Sequence, residues 1–586
     1  MATSQRQPLP PCCHAVHPGA KDTTKARFKT ELSAVAAAGR QDAFARLAAA
    51  LTDTRSALQL DRSGFGGGAK GERVSRFSAV DDIQSYMAEV AAYLSLVKGF
   101  YSSPAASANP PAVSYASVDA STPASTLRQP LIGDHSPLGG VLLEDSDGGS
   151  GAAPTASYSA HLKFCVWKDV LTNTQLHALN ARHEYAQALL ASGIFMVNEA
   201  REKVDALLGG RLSELDETQL KLAYQLFLSA AGVFDACLEA LDVTPRAVGA
   251  AHTDLSVVPE PEPAAAVNGD SRDIPDDDMM EKWRAEQLNA DAASRTEPGA
   301  TTTAAGGSSA AVSRSDGDLA QIHRVPDLAH GRYPQLLAWL ALAEAQELVI
   351  LRGMSREFVD FSLMAKLSMD IATRYRESNA LATQTLPCAT SPQADKVRLY
   401  ATFKAHYYVA ISVYFQGAAC MEREDAASCA QAIANFKKAK LLMQQVAPRK
   451  QRYEEKARQQ KEDRERLDTF KAIYVRSEQI VDRDLDIMTH RNDSVYYERI
   501  PEAEAAVEPL SLVRATAFPA VDVHALWRDA DVATCLKPIA APVPAGAAAT
   551  RSTPATGTSA GIGTTSSVNG SPAPPRQSCC ESCVIS

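Results

Sequence analysis

The chain has 586 residues, 45% of them apolar and 22% charged, and its net charge is −10. The balance is ordinary globular material, and the negative charge argues against a nucleic-acid binder that relies on bulk electrostatics. The eleven cysteines are scattered and odd in number, which reads as free thiols in a cytoplasmic protein rather than as a disulfide framework.

The start, MATSQRQPLPPCCHAV, lacks a basic segment followed by an apolar one, so it does not read as a secretory signal. Its second residue is Ala2, where N-myristoylation needs glycine. No run of about 18 uninterrupted apolar residues occurs, and no membrane-spanning helix is expected. Residues 1–20 read as a disordered N-terminus. Cys12, Cys13 and His14 form a weak metal candidate that lacks a second ligand pair, so an incidental cluster is favoured. GFGGGAKGE, residues 64–72, invites a phosphate-loop reading with Lys70 as the cation. It lacks the GK[ST] ending and a preceding strand, and a flexible loop is the better reading. Residues 102–157 are rich in Ser, Ala, Pro and Gly and read as a disordered insertion.

Helical composition starts at residues 181–207 and resumes at 213–242, where SELDETQLK supplies an N-cap and acidic residues suited to a helix N-terminus. Residues 252–325 read as a second disordered insertion with an acidic bias. Within it, DDDMMEKWRAEQLNADAA has Met279 and Trp283 on one helical face; a transient loop helix and a partner-binding motif are both open. Residues 334–352, 356–380, 393–422 and 425–478 continue the helical pattern. PQLLAWLALAEAQELVIL is apolar on most sides and belongs inside a stack of helices. AQAIANFKKAKLLMQQV has the small–large spacing of a tetratricopeptide-like helix pair, although no strict repeat of about 34 residues is present. EEKARQQKEDRERLD reads as a solvated helix with i,i+4 ion pairs, membrane-surface binding being the lesser reading. Residues 536–586 read as a disordered tail. The architecture expected is all-α: an irregular helical solenoid spanning 21–535 with long disordered insertions.

No HExxH, GxSxG or paired CxxC motif occurs; the lone CxxC, Cys580 to Cys583, lies in the tail. Nothing makes a positive case for catalysis, and no metal, cofactor, nucleic acid or small-molecule substrate is expected. The last four residues, Cys583, Val584, Ile585 and Ser586, satisfy the C-a-a-X prenylation pattern, with terminal serine favouring farnesyl. One lipid gives only reversible attachment. Arg576 is the only nearby cation, so Cys579 and Cys580 are candidates for palmitoyl chains as a second signal.

Five segments in order carry a family resemblance: LKFCVWKDVLT at 162–172, HEYAQALLASGIF, QLKLAYQLFLSAAGVFDACLEAL, LALAEAQELVILRGMSREFVDFSLMAKLSMDIATRY with its A-x-A-Q-E core, and NDSVYYERIPE at 492–502. Together they resemble the Bro-one domain family of Alix-type ESCRT accessory proteins, over roughly residues 162–520. The short tail and C-a-a-X box are similar to those of the family's prenylated branch, which lacks the V-shaped coiled-coil region of Alix-like members. The resemblance implies a Bro-one type solenoid with a tetratricopeptide-like core. It implies an adaptor that binds the C-terminal amphipathic helix of an ESCRT-III subunit, a charged multivesicular body protein, by helix-in-groove recognition. It assigns the groove's apolar positions to Val349, Leu363 and Leu367 and its polar positions to Glu217 and Lys221. With the tail, the expectation is a cytoplasmic protein associated with membranes through a lipid on Cys583; the alternative is a membrane-tethered scaffold for other protein partners.

Overall fold

A computed structural model describes residues 16–19, 21, 23–58, 76–102, 158–208, 215–246, 315–464 and 466–537. The expectations placed on Cys12, Cys13, His14, the 64–72 loop, the Met279–Trp283 segment and the tail cysteines Cys579, Cys580 and Cys583 lie outside the described residues.

The long helices, in chain order, are α1 (Gln41–Leu58), α2 (Val80–Lys98), α3 (Ala181–Leu208), α4 (Glu217–Ala240), α5 (Arg332–Met354), α6 (Phe361–Thr385), α7 (Pro392–Met421), α8 (Ala426–Ala457) and α9 (Leu467–Arg491). Their starts are written locally. The Asp216 carboxylate accepts from the N–H groups of Thr218 and Gln219, Asp360 caps Leu363, Ser391 caps Ala394 ahead of a first-turn Pro392, and Asp425 caps Ser428. Each such cap satisfies an otherwise orphaned N–H and is worth about 1 kcal/mol.

Each long helix packs chiefly on its neighbours in sequence, α1 on α2, α2 on α3 and onward to α8 on α9, which makes the all-α solenoid expected from the sequence. A two-stranded hairpin interrupts it: β1 (Val166–Lys168) pairs antiparallel with β2 (Gln175–His177) in the W-K-D segment. Trp167 is buried there and its Nε1–H donates to Glu184 on α3 at 2.7 Å. Asp169 closes the turn by accepting from the N–H groups of Leu171 and Thr172.

Helix α5 is the hub. Side chains on every side of it are buried, as its sequence required. Its A-x-A-Q-E stretch sends each polar side chain to a different part of the molecule. Glu344 accepts from the Val16 N–H, Gln346 bonds the main chain at Leu510 and Leu512, and Glu347 pairs with Lys404 on α7. Helix α4 is long and apolar enough to cross a membrane, but most of it is buried within the fold.

From residue 498 to 524 the chain has no regular secondary structure, and it runs back across the helices in reverse order. The Glu504 N–H meets Asn435 on α8, the Ala505 carbonyl accepts from Gln416 on α7, and the Leu510 N–H donates to the Lys366 carbonyl on α6. Thr516 then bonds the Leu228 carbonyl on α4, and Lys98 on α2 donates to the Val521 carbonyl. Trp527 Nε1–H reaches the Leu96 carbonyl, and Asp529 pairs with Arg46 on α1 at 2.8 Å. This strap ties first helix to last.

Several boundaries differ from the sequence reading. Part of the segment expected to be disordered belongs to the fold: Val16 and His17 are buried, and the Pro18 carbonyl accepts from the Tyr333 hydroxyl. The second insertion ends sooner, because Ser315–Ile322 is helical and Ile322 and Val325 are buried. The expected tail start at residue 536 is early by two residues, since Leu536 is buried and the Lys537 N–H donates to the Val35 carbonyl. The single helix expected over 425–478 is two helices joined by a corner. Asp463, read as part of a solvated face, is fully enclosed at that corner and paired with Arg201 at 2.5 Å and Lys396 at 2.6 Å. Alternating charges alone could not reveal that this carboxylate turns inward to two cations on other helices.

Candidate functional site

Antiparallel packing of α4 on α5 brings the start of one beside the end of the other. A cavity of about 830 Å³ opens there, closed by residues 78–80 at the start of α2 and by Leu512 of the strap. Leu220, Leu222 and Leu348 form its buried floor. Val349 and Tyr224 stand half-buried in its walls, and Leu512 presents an apolar side chain that is 53% exposed. Burial raises the Tyr224 phenol above its usual pKa.

The rim is charged. Glu217 and Lys221 are exposed one turn apart at the start of α4. Glu217 pairs with Arg352 on α5 at 3.1 Å, rather than with Lys221. Both partners are more than half exposed, so the pair is worth less than about 1 kcal/mol and is free to exchange for a ligand's charges. Arg352 and Leu512 were missed by sequence reasoning. Nothing local marks them; they reach the cavity only because α5 lies on α4 and the strap crosses α5.

Of the five residues assigned to the groove, Glu217, Lys221 and Val349 surround this one cavity. Leu363 and Leu367 do not line it. Leu363 is half-buried near the start of α6, one turn from Lys366, whose carbonyl holds Leu510 of the strap. Leu367 is fully buried. It is therefore a core leucine and not a surface contact: four residues advance a helix by about 40° beyond one full turn, and here that rotation carries the side chain inward.

The arrangement suits an amphipathic helix: an apolar floor and walls for anchor side chains, with charges at the edge to set register. A strongly perturbed carboxyl lies elsewhere. Glu344 is pushed up to about 8 by burial and by neighbouring Glu347, and its partners are the Tyr400 hydroxyl and the Val16 N–H. It is absent from the cavity lining and serves the core.

Comparison with known proteins gives a family match and several similar solved structures. Residues 319–537 match the BRO1-like domain family. The chain is similar to that of ALIX in complex with the SIVmac239 PYKEVTEDL late domain, at 14% identity and a TM-score of 0.45, over 90% of this chain and 51% of that one. It is also similar to the chain in a structure describing endosomal targeting by the Bro1 domain, at 13% identity and a TM-score of 0.44, over 86% of this chain and 92% of that one. The chain thus spans about half the length of the ALIX chain it matches. No curated protein matches it. The stretch from residue 319 to 537, which holds α5 through α9 and the strap, is similar to the BRO1-like domain family.

Proposed function

We propose that this protein is a non-catalytic ESCRT adaptor of the Bro-one type, whose groove binds the C-terminal amphipathic helix of an ESCRT-III subunit. The observation that carries this reading is the convergence of Glu217, Lys221 and Val349 around one cavity. These residues were assigned by resemblance alone, from segments far apart in sequence. Apolar anchors of the ligand helix fill the space over Leu220 and Leu348, and its polar edge meets Lys221 and Arg352.

The tail adds a membrane anchor to this reading, in the manner of BROX, the prenylated Bro-one protein. Cys583 carries a farnesyl chain, and Cys579 and Cys580 supply the second signal that stable attachment needs. The anchor holds the helical unit near the bilayer where ESCRT-III filaments form.

Titration of the full chain with a synthetic ESCRT-III C-terminal helix tests the groove. Val349→Asp places a charge in an apolar wall without burying it in the core, and should weaken binding at least tenfold; unchanged affinity overturns the reading. Fractionation tests the anchor separately. Cys583→Ser should move the protein from membrane to soluble fractions, and a Cys579/Cys580 double serine variant should lose palmitate incorporation.

A further inference from the structure

Residues 276–292, DDDMMEKWRAEQLNADA, contain six acidic residues against two basic ones, and Met279, Met280 and Trp283 fall within one helical stripe. The functional reading above gives this segment no task. Its place in the chain is informative. It belongs to the connection between α4 and α5, the two helices that build the groove.

The foot of that connection is fixed. The Arg246 N–H donates to Gln335 at 2.7 Å, and the Arg246 carbonyl accepts from Trp339 Nε1–H at 3.0 Å. Trp339 and Val349 are ten residues apart on α5, about 15 Å along the axis. Residues 247–275 precede the segment. That many residues span at most about 100 Å when fully extended. The groove is well within reach, and the 22 residues 293–314 suffice for the return to Ser315.

The chemistry also matches. Methionine adapts to irregular apolar space, and tryptophan is enriched among the buried anchors that carry most interface binding energy. A cavity of about 830 Å³ lined by leucines and valines accepts such side chains. Its charged lining residues are Lys221, Arg352 and Glu217, two cations against one anion, which favours an acidic occupant.

We propose that residues 276–292 are an internal ligand of the groove, seated there through Met279, Met280 and Trp283 in competition with the ESCRT-III helix. This rests on the groove reading above. A tethered segment acts at an effective concentration of order millimolar. Even an intrinsic dissociation constant of about 0.1 mM then keeps the groove about nine-tenths occupied and weakens an external ligand about tenfold.

The test uses the full chain carrying Met279→Ala and Trp283→Ala, which leaves the groove intact and removes the anchors. A fluorescently labelled synthetic peptide of residues 276–292 should bind this variant, bind the unaltered chain several-fold more weakly, and lose binding when Val349→Asp is added. Failure to bind, or equal binding with Val349→Asp, overturns the proposal. A synthetic ESCRT-III C-terminal helix should bind the variant about 3- to 10-fold more tightly than the unaltered chain; equal affinity also overturns it. If the ESCRT-III peptide binds neither chain while the 276–292 peptide binds in a Val349-dependent way, the internal contact stands and the assignment of the external partner fails.

Discussion

The Lys404 ammonium lies 2.9 and 2.8 Å from the two carboxylate oxygens of Glu347, with both side chains enclosed in the core. The pair joins α7 to α5. The Tyr375 hydroxyl donates to the same carboxylate at 2.6 Å, and the rings of Tyr375, Tyr400 and Tyr408 surround the ammonium at 5.3 to 5.7 Å. Burial raises the Glu347 pKa, while Lys404 pulls it back toward the charged form.

Removing one partner should therefore cost more than removing both. Lys404→Met strands a buried carboxylate and should destabilise the fold by about 3–5 kcal/mol in urea unfolding. Adding Glu347→Leu should restore much of that loss, because apolar replacement of a buried pair is often neutral. A Lys404→Met chain as stable as the original would remove the pair from the account of the core.

Glu344 predicts a pH dependence. Its folded pKa is raised to about 8 from an ordinary 4.5, so between those values the folded chain holds a proton that the unfolded chain releases. Stability from this group accordingly falls as pH rises through that window. Glu344→Gln keeps an oxygen to accept from Val16 and Tyr400 and cannot ionise. It should flatten the decline and raise stability at pH 8 by a few kcal/mol, to order of magnitude. Unfolding midpoints measured at pH 5.5 and pH 8 should separate the two chains; parallel slopes would contradict the assignment.

The strap depends on a close approach at Gly232. A Cβ there would fall inside the van der Waals envelope of the Thr516 carbonyl oxygen, which is backbone and cannot swing away. Gly232→Ala should lift the strap from α4, breaking the Thr516 N–H bond to Leu228, at a cost of about 1–3 kcal/mol. Faster limited proteolysis near residue 516 is the expected readout.

Leu363 and Leu367 should behave differently despite their spacing. Leu367→Ala opens a core cavity and should cost about 2–5 kcal/mol. Leu363 is half-buried, so Leu363→Ala should cost less than Leu367→Ala. Equal losses in thermal or urea unfolding would place both side chains in the same environment, against the structure.

Helix existence was legible because its causes are local. Asp216, Asp360, Ser391 and Asp425 each bond an N–H two or three residues ahead, and that is visible in a short window of sequence. The apolar surround of α5 likewise announces its burial. The corner at Asp463 was not legible. Its partners Arg201 and Lys396 lie on α3 and α7, and an acidic residue in a charged run carries no mark of the cations it will meet.

The candidate site divides in the same way. Local patterning was enough to specify an all-α chain of stacked helices, and the family resemblance assigned Glu217, Lys221, Val349, Leu363 and Leu367 to a groove. Helix packing brings Glu217, Lys221 and Val349 around one cavity, adds Arg352 and Leu512, and leaves Leu363 and Leu367 out of its lining. The physical reason is that a helix is set by bonds between near neighbours, whereas a groove is the space left between helices. Its shape depends on how α4 meets α5 and on where the strap crosses, through contacts such as Gln346 with the main chain at Leu510 and Leu512.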